Sequence, residues 1–396
     1  MNYPKGYKVT GFNCGIKKVK SDLAIVLSEA PANAAAVYTT NLFQAAPLQV
    51  TKGNLDQEGM AQAIVVNSGV ANAAMGKQGI EDASRVATAL AEHYHLAPHH
   101  TIVASTGVIG MPLPVDKIVG GIEKSVDLLE DLEIGAEKVA KAIMTTDTVP
   151  KIASHSIVLD GQTVHFWGMC KGAGMIHPNM STMLGFVLCD AAIETDVLQQ
   201  ALTDAIKDSF NMISVDGDTS TNDMVTVMAN GQAENKKIAS VDAPEYALFK
   251  QALKKICVDL AKQIVIDGEG ATKMFEVEVV HAVTEMDAKT IARSVTSSSL
   301  VKAAMYGKDA NWGRIACAAG YSGAVFNPDL MDIFIGDVQV AKNGQGLAFD
   351  EEKALEILSN NEIHVCIDLH EGSAEAIGWG CDLTHDYVSI NADYRS

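Results

Sequence analysis

Apolar and polar positions alternate along this chain in short blocks. Leu23-Ala24-Ile25-Val26-Leu27 and Ala35-Ala36-Val37-Tyr38 lie between turn residues from Gly6 to Thr40 and read as strands. Ala63-Ile64-Val65-Val66 is a short buried strand, followed by a loop of small residues, Asn67-Ser68-Gly69-Val70-Ala71-Asn72-Ala73. Ile80, Ala83, Ala87, Leu90 and Tyr94 recur at steps of three and four, the mark of an amphipathic helix. Thr101 to Ala104 is a strand that delivers Ser105-Thr106-Gly107; Pro114 opens a helix at its first turn, and Ala136 to Met144 forms another. Ala153 to Val158 and Thr163 to Trp167 flank Asp160-Gly161, a strong hairpin signal. Further on, Met183 to Cys189 reads as a buried strand, Thr195 to Phe210 as a helix, Asp223 to Met228 as a strand, and Tyr246 to Ile266 as a long helix ending at Asp267-Gly268-Glu269-Gly270. Strands are predicted at Phe275 to Val283, Asp332 to Val340, Ile363 to Leu369 and Glu375 to Trp379, and helices at Asp287 to Ala304 and Glu351 to Leu358. This order is too irregular for a doubly wound parallel sheet, and the hairpin implies antiparallel pairing. The expected fold is α/β in layers, with helices covering stacked mixed sheets.

Composition narrows the function classes. With 396 residues, 48% of them hydrophobic, the chain can bury one large core or two medium ones. Thirty Lys and Arg against 49 Asp and Glu give a net charge of −19, which argues against nucleic acid or an anionic membrane as partner and suits a cationic metabolite. The 7 cysteines are scattered and mostly flanked by apolar residues, as expected of reduced core thiols in a cytoplasmic protein. CxxC, HExxH and zinc-ligand spacings are absent, so no metal is expected, and His93, His95, His99 and His100 around Pro98 read as a solvated helix end and loop. No apolar run approaches the roughly 18 residues of a membrane helix, and a soluble chain is expected.

The chemistry concentrates in Lys171-Gly-Ala-Gly-Met-Ile-His-Pro-Asn-Met-Ser-Thr-Met-Leu184, where a glycine-rich turn and a Pro178-Asn179 bend lead to two hydroxyls, Ser181 and Thr182, at the mouth of a buried strand. This string resembles the processing site of the ornithine acetyltransferase family of arginine biosynthesis. The family cuts its chain before a threonine and uses that threonine as nucleophile. Thr182 aligns with it; Ser181 stands where the family usually has alanine, and cleavage after Met180 would instead expose Ser181. The resemblance implies fragments 1–181 and 182–396 and a four-layer α-β-β-α sandwich shared with certain self-cleaving aminopeptidases. A freed α-amine, with a reference pKa near 8, is a base held beside its own Oγ.

Other strings extend the resemblance. Thr106-Gly107, by itself a turn after a strand, matches the family's oxyanion-hole pair. Thr145-Thr146-Asp147-Thr148 reads equally as a helix stop; by similarity one of its threonines, taken as Thr145, binds substrate, as does Lys171. Gly268-Glu269-Gly270-Ala271-Thr272-Lys273 lacks Walker A spacing, and the family string makes Glu269 the carboxylate that receives a substrate ammonium. Asn391 and Ser396 keep the spacing of the family's substrate-contacting C-terminus, while Lys308 to Arg314 matches a signature for which packing is at least as good a role. Implied, then, is acetyl transfer from N-acetylornithine to glutamate through acetyl-threonine, without metal or organic cofactor, in an assembly of two cleaved units. Some members also take acetyl from acetyl-CoA. The rivals are an aminopeptidase of the same fold, which hands the acyl group to water, and a non-enzymatic amino-acid-binding protein whose chain stays intact.

Overall fold

The computed structural model describes residues 2–177 and 183–393. In chain order its elements are β1 (Tyr7–Phe12), β2 (Leu23–Tyr38), α1 (Ala46–Glu58), β3 (Met60–Val70), α2 (Gly76–His93), β4 (Thr101–Val108), α3 (Val115–Ser125), β5 (Glu130–Asp131), α4 (Leu132–Ala142), β6 (Lys151–Leu159), β7 (Gln162–Lys171), β8 (Leu184–Cys189), α5 (Thr195–Lys207), β9 (Ile213–Ser214), β10 (Met224–Ala229) and α6 (Pro244–Ile266). There follow β11 (Met274–Ala282), α7 (Glu285–Ser297), α8 (Ser299–Gly307), α9 (Trp312–Gly320), β12 (Asp332–Ile335), β13 (Val338–Lys342), β14 (Gln345–Gly346), α10 (Glu351–Leu358), β15 (Glu362–Asp368), β16 (Ala374–Cys381) and α11 (His385–Ala392). They form two compact units, one of residues 1–172, 179–210 and 219–260, the other of 173–178, 211–218 and 261–396.

The first unit holds a mixed sheet in the order β4-β3-β2-β10-β8-β7-β6, with β1 paired to β2 and β5 to β1. The period-2 alternation of a strand sorts its residues between two cores. Leu23, Ile25, Ala63, Val65 and Val103 face Ala83, Val86 and Leu90 of α2 and Ile118 and Ile122 of α3. Ala24, Val26, Ile64, Val66 and Ile102 join a second cluster with Leu132, Ala136 and Val139 of α4 and with Trp167, Met169, Phe186 and Met228. Burial on both faces explains why these strands read as continuous apolar runs. All six residues of β8 are buried, and β8 pairs antiparallel with β7 and parallel with β10.

The second unit holds the sheet β14-β13-β12-β15-β11-β16-β9, again mixed: β11 runs parallel to β15 and antiparallel to β16. Helix α7 packs its buried face, Ala288, Ile291, Ala292 and Val295, within this unit.

The α/β class with mixed sheets holds, but several element boundaries need correction. Asn67 to Val70 is not a loop but the end of β3, an inner strand whose small and polar residues are buried or half-buried. Asp332 to Val340 is a hairpin that turns at Gly336 (φ +56°), not one strand. The helix expected from Asp287 to Ala304 is broken at Ser298, whose extended backbone ends α7 and whose hydroxyl caps α8 by accepting from Val301 N. Cys317 is exposed, whereas Cys170, Cys189, Cys257 and Cys381 are buried thiols as expected.

Candidate active site

In the first unit, parallel pairing of β3 and β4 sets Ser68 opposite Thr106 and Gly69 opposite Gly107. Gly107 has φ +131°, and a Cβ there would lie 2.3 Å from the carbonyl carbon of Gly69 and 2.6 Å from the nitrogen of Val70. Only glycine allows the two backbones to run this close. Buried polar side chains hold the strand ends: Ser105 Oγ donates to Asn67 Oδ1 (2.6 Å), and Asn222 Nδ2 donates to the carbonyls of Ala71 (2.6 Å) and Ser105 (2.7 Å).

Asp147, in the turn after α4, is the hub of a second cluster. Its carboxylate accepts from the Thr145 amide (2.9 Å), the Gly172 amide (2.7 Å) and Lys151 Nζ (2.6 Å). Both side chains of the Asp147–Lys151 pair have 0% exposure. Burial alone would raise the Asp147 pKa; the charges of Lys171 and Lys151, with the Lys151 and Gly172 hydrogen bonds, outweigh it and hold the carboxyl well below the usual range. One carboxylate thus fixes the Thr145 turn to the start of the glycine-rich stretch that follows Lys171.

Lys17 and Asp223 complete this side of the site. Lys17 Nζ donates to Ser68 Oγ (2.6 Å) and to the Met144 carbonyl (2.7 Å). Burial, helped by the charges of Lys20 and Lys171, lowers its pKa to about 8 against the pull of Asp22 and Asp147. The Asp223 carboxyl is fully buried; desolvation pushes its pKa well up, only partly offset by the Lys171 charge and hydrogen bonds with Ser220. Its Oδ2 has no hydrogen-bond partner among the described residues. Asp223 precedes Met224, whose amide donates to the Met183 carbonyl (2.8 Å) at the entrance to β8.

In the second unit, Glu269 follows the end of α6 and is 8% exposed. Its amide donates to the Ala173 carbonyl (2.8 Å), and its Oε2 accepts from Asn391 Nδ2 of α11 (2.8 Å). A Cβ on Gly174 would meet that carboxylate at 2.3 Å, so the glycine makes room for Glu269. Asp216 grips the same stretch, accepting from the amides of Met175 (2.6 Å) and Ile176 (2.8 Å) and from the Tyr387 hydroxyl (3.2 Å). Met175 is held at φ +56°, a left-handed conformation costly for a side chain with a Cβ. His177 Nδ1 lies 3.1 Å from Ser214 Oγ, and burial with the Arg293 charge lowers the imidazole pKa. Lys273 Nζ donates to the Leu358 carbonyl, so the Gly268 to Lys273 string ends in a structural lysine.

Of the residues expected from sequence, Thr106, Gly107, Thr145 and Lys171 lie in the first unit, and Glu269 with Asn391 in the second. Thr145 and Lys171 share Asp147 as a partner, by hydrogen bond and by charge, and Glu269 and Asn391 bond directly. Ser181, Thr182 and Ser396 lie outside the described residues. Lys17, Asp216 and Asp223 were not anticipated; Asp147 was, but only as part of a threonine turn. Asn311, in the second family string, caps α9 by accepting from Arg314 N.

Sequence comparison places this α/β chain in the class of acyltransferases. The ArgJ family model matches residues 8–396, and the chain belongs to that family, the ornithine acetyltransferase family its motifs resemble. It is 50% identical over 396 residues to the arginine biosynthesis bifunctional protein ArgJ of Symbiobacterium thermophilum, covering 99% of this chain and 98% of the relative. Among solved structures, an arginine biosynthesis bifunctional protein argJ chain from Bacillus halodurans is 50% identical, with a TM-score of 0.52 over 54% of this chain and 100% of that one. An ornithine acetyltransferase from Mycobacterium tuberculosis, solved in complex with ornithine, is 36% identical, with a TM-score of 0.40 over 44% of this chain and 93% of that one. The protein is therefore an acyltransferase of arginine biosynthesis.

Proposed function

We propose that the chain cuts itself before Thr182 and then carries acetyl from N2-acetylornithine to glutamate on the Thr182 hydroxyl. In the cut, Thr182 Oγ attacks the Ser181 carbonyl, the peptide C–N bond breaks, and the resulting ester is hydrolysed by water to a Ser181 carboxylate and a free Thr182 amine. In turnover, Oγ loses its proton to that amine and attacks the acetyl carbonyl. The amide C–N bond breaks and ornithine leaves, its nitrogen taking the proton; the glutamate amine then attacks the acetyl ester and restores the hydroxyl. Both steps put negative charge on a carbonyl oxygen, for which the Thr106 and Gly107 end of β4 supplies donors worth roughly 3–4 kcal/mol each. Glu269, steadied by Asn391, receives the substrate ammonium, while Thr145, Lys171 and Ser396 complete the binding groups.

The observation that carries this reading is the anchoring of residues 172–176. Asp147 holds the Gly172 amide, Glu269 the Ala173 carbonyl, and Asp216 the amides of Met175 and Ile176, just before the sequence that contains the cut. The Bacillus halodurans chain gives independent support: it is matched in full by 54% of this chain, the share that residues 182–396 make of it. Strands β8 and β10, from the C-terminal fragment, pair with β7 and β2 from the N-terminal one, so the fragments stay together. The working form is a cytoplasmic pair of cleaved units. No described helix is long and apolar enough to cross a membrane.

Denaturing mass spectrometry tests the proposal. Two fragments, with one acetyl mass added to 182–396 by N-acetylornithine alone and removed by glutamate, are expected; an uncut chain in active enzyme overturns it. The word bifunctional in the relatives' names favours acetyl-CoA as a second donor, which a thiol-release assay with glutamate reads directly.

A further inference from the structure

Just before β4, at the opposite end of that strand from Thr106 and Gly107, three side chains converge. Glu58 closes α1, and His99 and His100 stand in the connection between α2 and β4. His99 Nε2 lies 3.0 Å and His100 Nε2 3.2 Å from the same Glu58 oxygen, and the three potential ligand atoms are all within 4.8 Å of one another. The two imidazoles meet edge to face, their centroids 4.7 Å apart and their planes at 80°. A tetrahedral centre with metal–ligand bonds of about 2.0–2.1 Å separates its ligand atoms by about 3.3 Å. The His–Glu separations are close to that edge length.

Hydrogen bonding does not account for the whole cluster. One Glu58 oxygen serves both rings: His100 Nε2 is hydrogen-bonded to it, and His99 Nε2, shielded from solvent, lies 3.0 Å from it but out of good hydrogen-bond alignment. A buried ring nitrogen left unbonded carries a desolvation cost that a ligand would remove. The backbone around the group is fixed: the His100 carbonyl accepts from the amides of Gln62 (2.8 Å) and Ala63 (3.1 Å), and the Gly59 amide closes α1 on Leu55 (2.7 Å). The Glu58 side chain is 54% exposed, which leaves an approach from solvent and room for water in a fourth position. The other histidine cluster, His281, Asp368 and His370, lacks this feature. There His281 pairs with Asp368 (2.8 Å), and His370 pairs with Asp332 (3.2 Å) and Asp368 (3.3 Å).

We propose that Glu58, His99 and His100 form a binding site for a divalent transition-metal ion of the zinc class, joining the end of α1 to the start of β4. Two imidazoles and one carboxylate suit such an ion and not calcium or magnesium, which take oxygen ligands. The ion ties together two segments that support the strand bearing Thr106 and Gly107, and so stabilises the folded chain without entering the acyl-transfer chemistry.

The test uses untagged full-length protein, stripped with chelator and titrated with Co2+ as probe. One equivalent per chain, with the intense visible band of tetrahedral Co2+ and its displacement by Zn2+, is the expected result. Glu58→Gln and His99→Asn should each weaken binding roughly 10-fold or more, while His281→Asn leaves it unchanged. His99→Asn removes no hydrogen bond made by the Nε2 atom, so it keeps the test sound if Glu58→Gln folds poorly. No saturable binding, or binding unmoved by His99→Asn, or lost only with His281→Asn, overturns the proposal.

Discussion

Replacing Asp147 by Asn should both destabilise the protein and slow the proposed self-cleavage. The substitution keeps the shape of the side chain and removes its charge, weakening its contact with Lys151 Nζ in a site where both side chains have 0% exposure. Removing one partner of a buried pair costs up to about 3–5 kcal/mol, because the remaining charge loses a counter-charge in a place shielded from water. With an unfolding entropy near 2.1 cal/mol/K per residue, 396 residues unfolding together give about 0.8 kcal/mol/K, so that loss lowers the melting temperature by about 4–6 °C. Asp147→Asn/Lys151→Met, which removes the lysine charge as well, should recover part of the loss. Processing should not recover with it, because the Gly172 and Thr145 amides still lack a charged acceptor.

The pH dependence supplies a second readout. The folded-state pKa of Asp147 is depressed, so its contribution is fully present above the unfolded value near 3.9 and is lost as pH falls through the folded value. Wild type should thus lose stability more steeply than Asp147→Asn on acidification below about pH 4. Calorimetry, urea titrations at several pH values and mass spectrometry of the processing time course together test the argument. A melting point within 1 °C of wild type, with cleavage at the normal rate, would show that the Asp147 hub fixes neither the fold nor the loop.

Four further expectations follow from the same geometry. Gly107→Ala should damage the pairing of β3 with β4 before it reports on chemistry, since its Cβ would sit 2.3 Å from the Gly69 backbone; circular dichroism and yield will show this. Thr106→Val is the better probe of the oxyanion site, with an expected fall in kcat of roughly 10²–10³-fold and little change in KM. Lys17→Met should leave the acid limb of the pH–rate profile in place if the Thr182 amine is the base, and its disappearance would assign the base to Lys17, whose pKa of about 8 overlaps that of an α-amine. Asp223→Asn should gain stability relative to wild type as pH rises above about 4: the raised folded pKa means that the unfolded wild-type chain releases a proton the folded one retains, which urea midpoints at pH 4 and pH 8 will read.

Much of this molecule was legible where period and burial coincide. The alternation through Leu23 to Val26 and Ala63 to Val66 corresponds to two cores on opposite faces of one sheet, and Asp160-Gly161, with φ values of +50° and +78°, makes the expected hairpin. Helix α1 escaped notice because a threonine occupies a core position of its face: Thr51 is fully buried and exchanges hydrogen bonds with the backbone of Val103 (2.8 and 2.9 Å), a satisfaction that no hydropathy pattern announces. Helix α11 gives no periodic apolar signal because it buries no residue; its side-chain tie to Glu269 is the bond from Asn391. Motif strings singled out Thr106, Thr145, Lys171, Glu269 and Asn391 as candidates. Motifs did not locate Lys17, Asp216 or Asp223, and gave no special weight to Asp147. Each is a common residue made unusual by the neighbours that tertiary folding brings to it.

Those residues also bear on how, on the proposed mechanism, one sequence would serve both as its own substrate and as an enzyme. The backbone of Gly172, Ala173, Met175 and Ile176 is bonded to groups that lie on either the N-terminal side of the loop or well past the cut, and none of these bonds depends on the Ser181–Thr182 peptide. The same is true downstream. Leu184 to Cys189 is held on both edges by β7 and β10, and the Met224 amide fixes the Met183 carbonyl. The proposed cleavage would therefore free a new amine without loosening either anchor, and Thr182 is one residue in sequence from the fixed Met183 carbonyl, at the strand entrance where Asp223 adjoins Met224. A nucleophile tethered in this way keeps the entropic advantage of an intramolecular group in every later turnover. Variants that weaken β8 pairing should therefore lower acetyl transfer even in chains that have already been cut, whereas variants of Asp216 should slow chiefly the cut itself. Measuring both rates in Asp216→Asn and in Val187→Ala separates the two anchors. Equal losses of both rates in both variants would mean that the two segments act as a single unit.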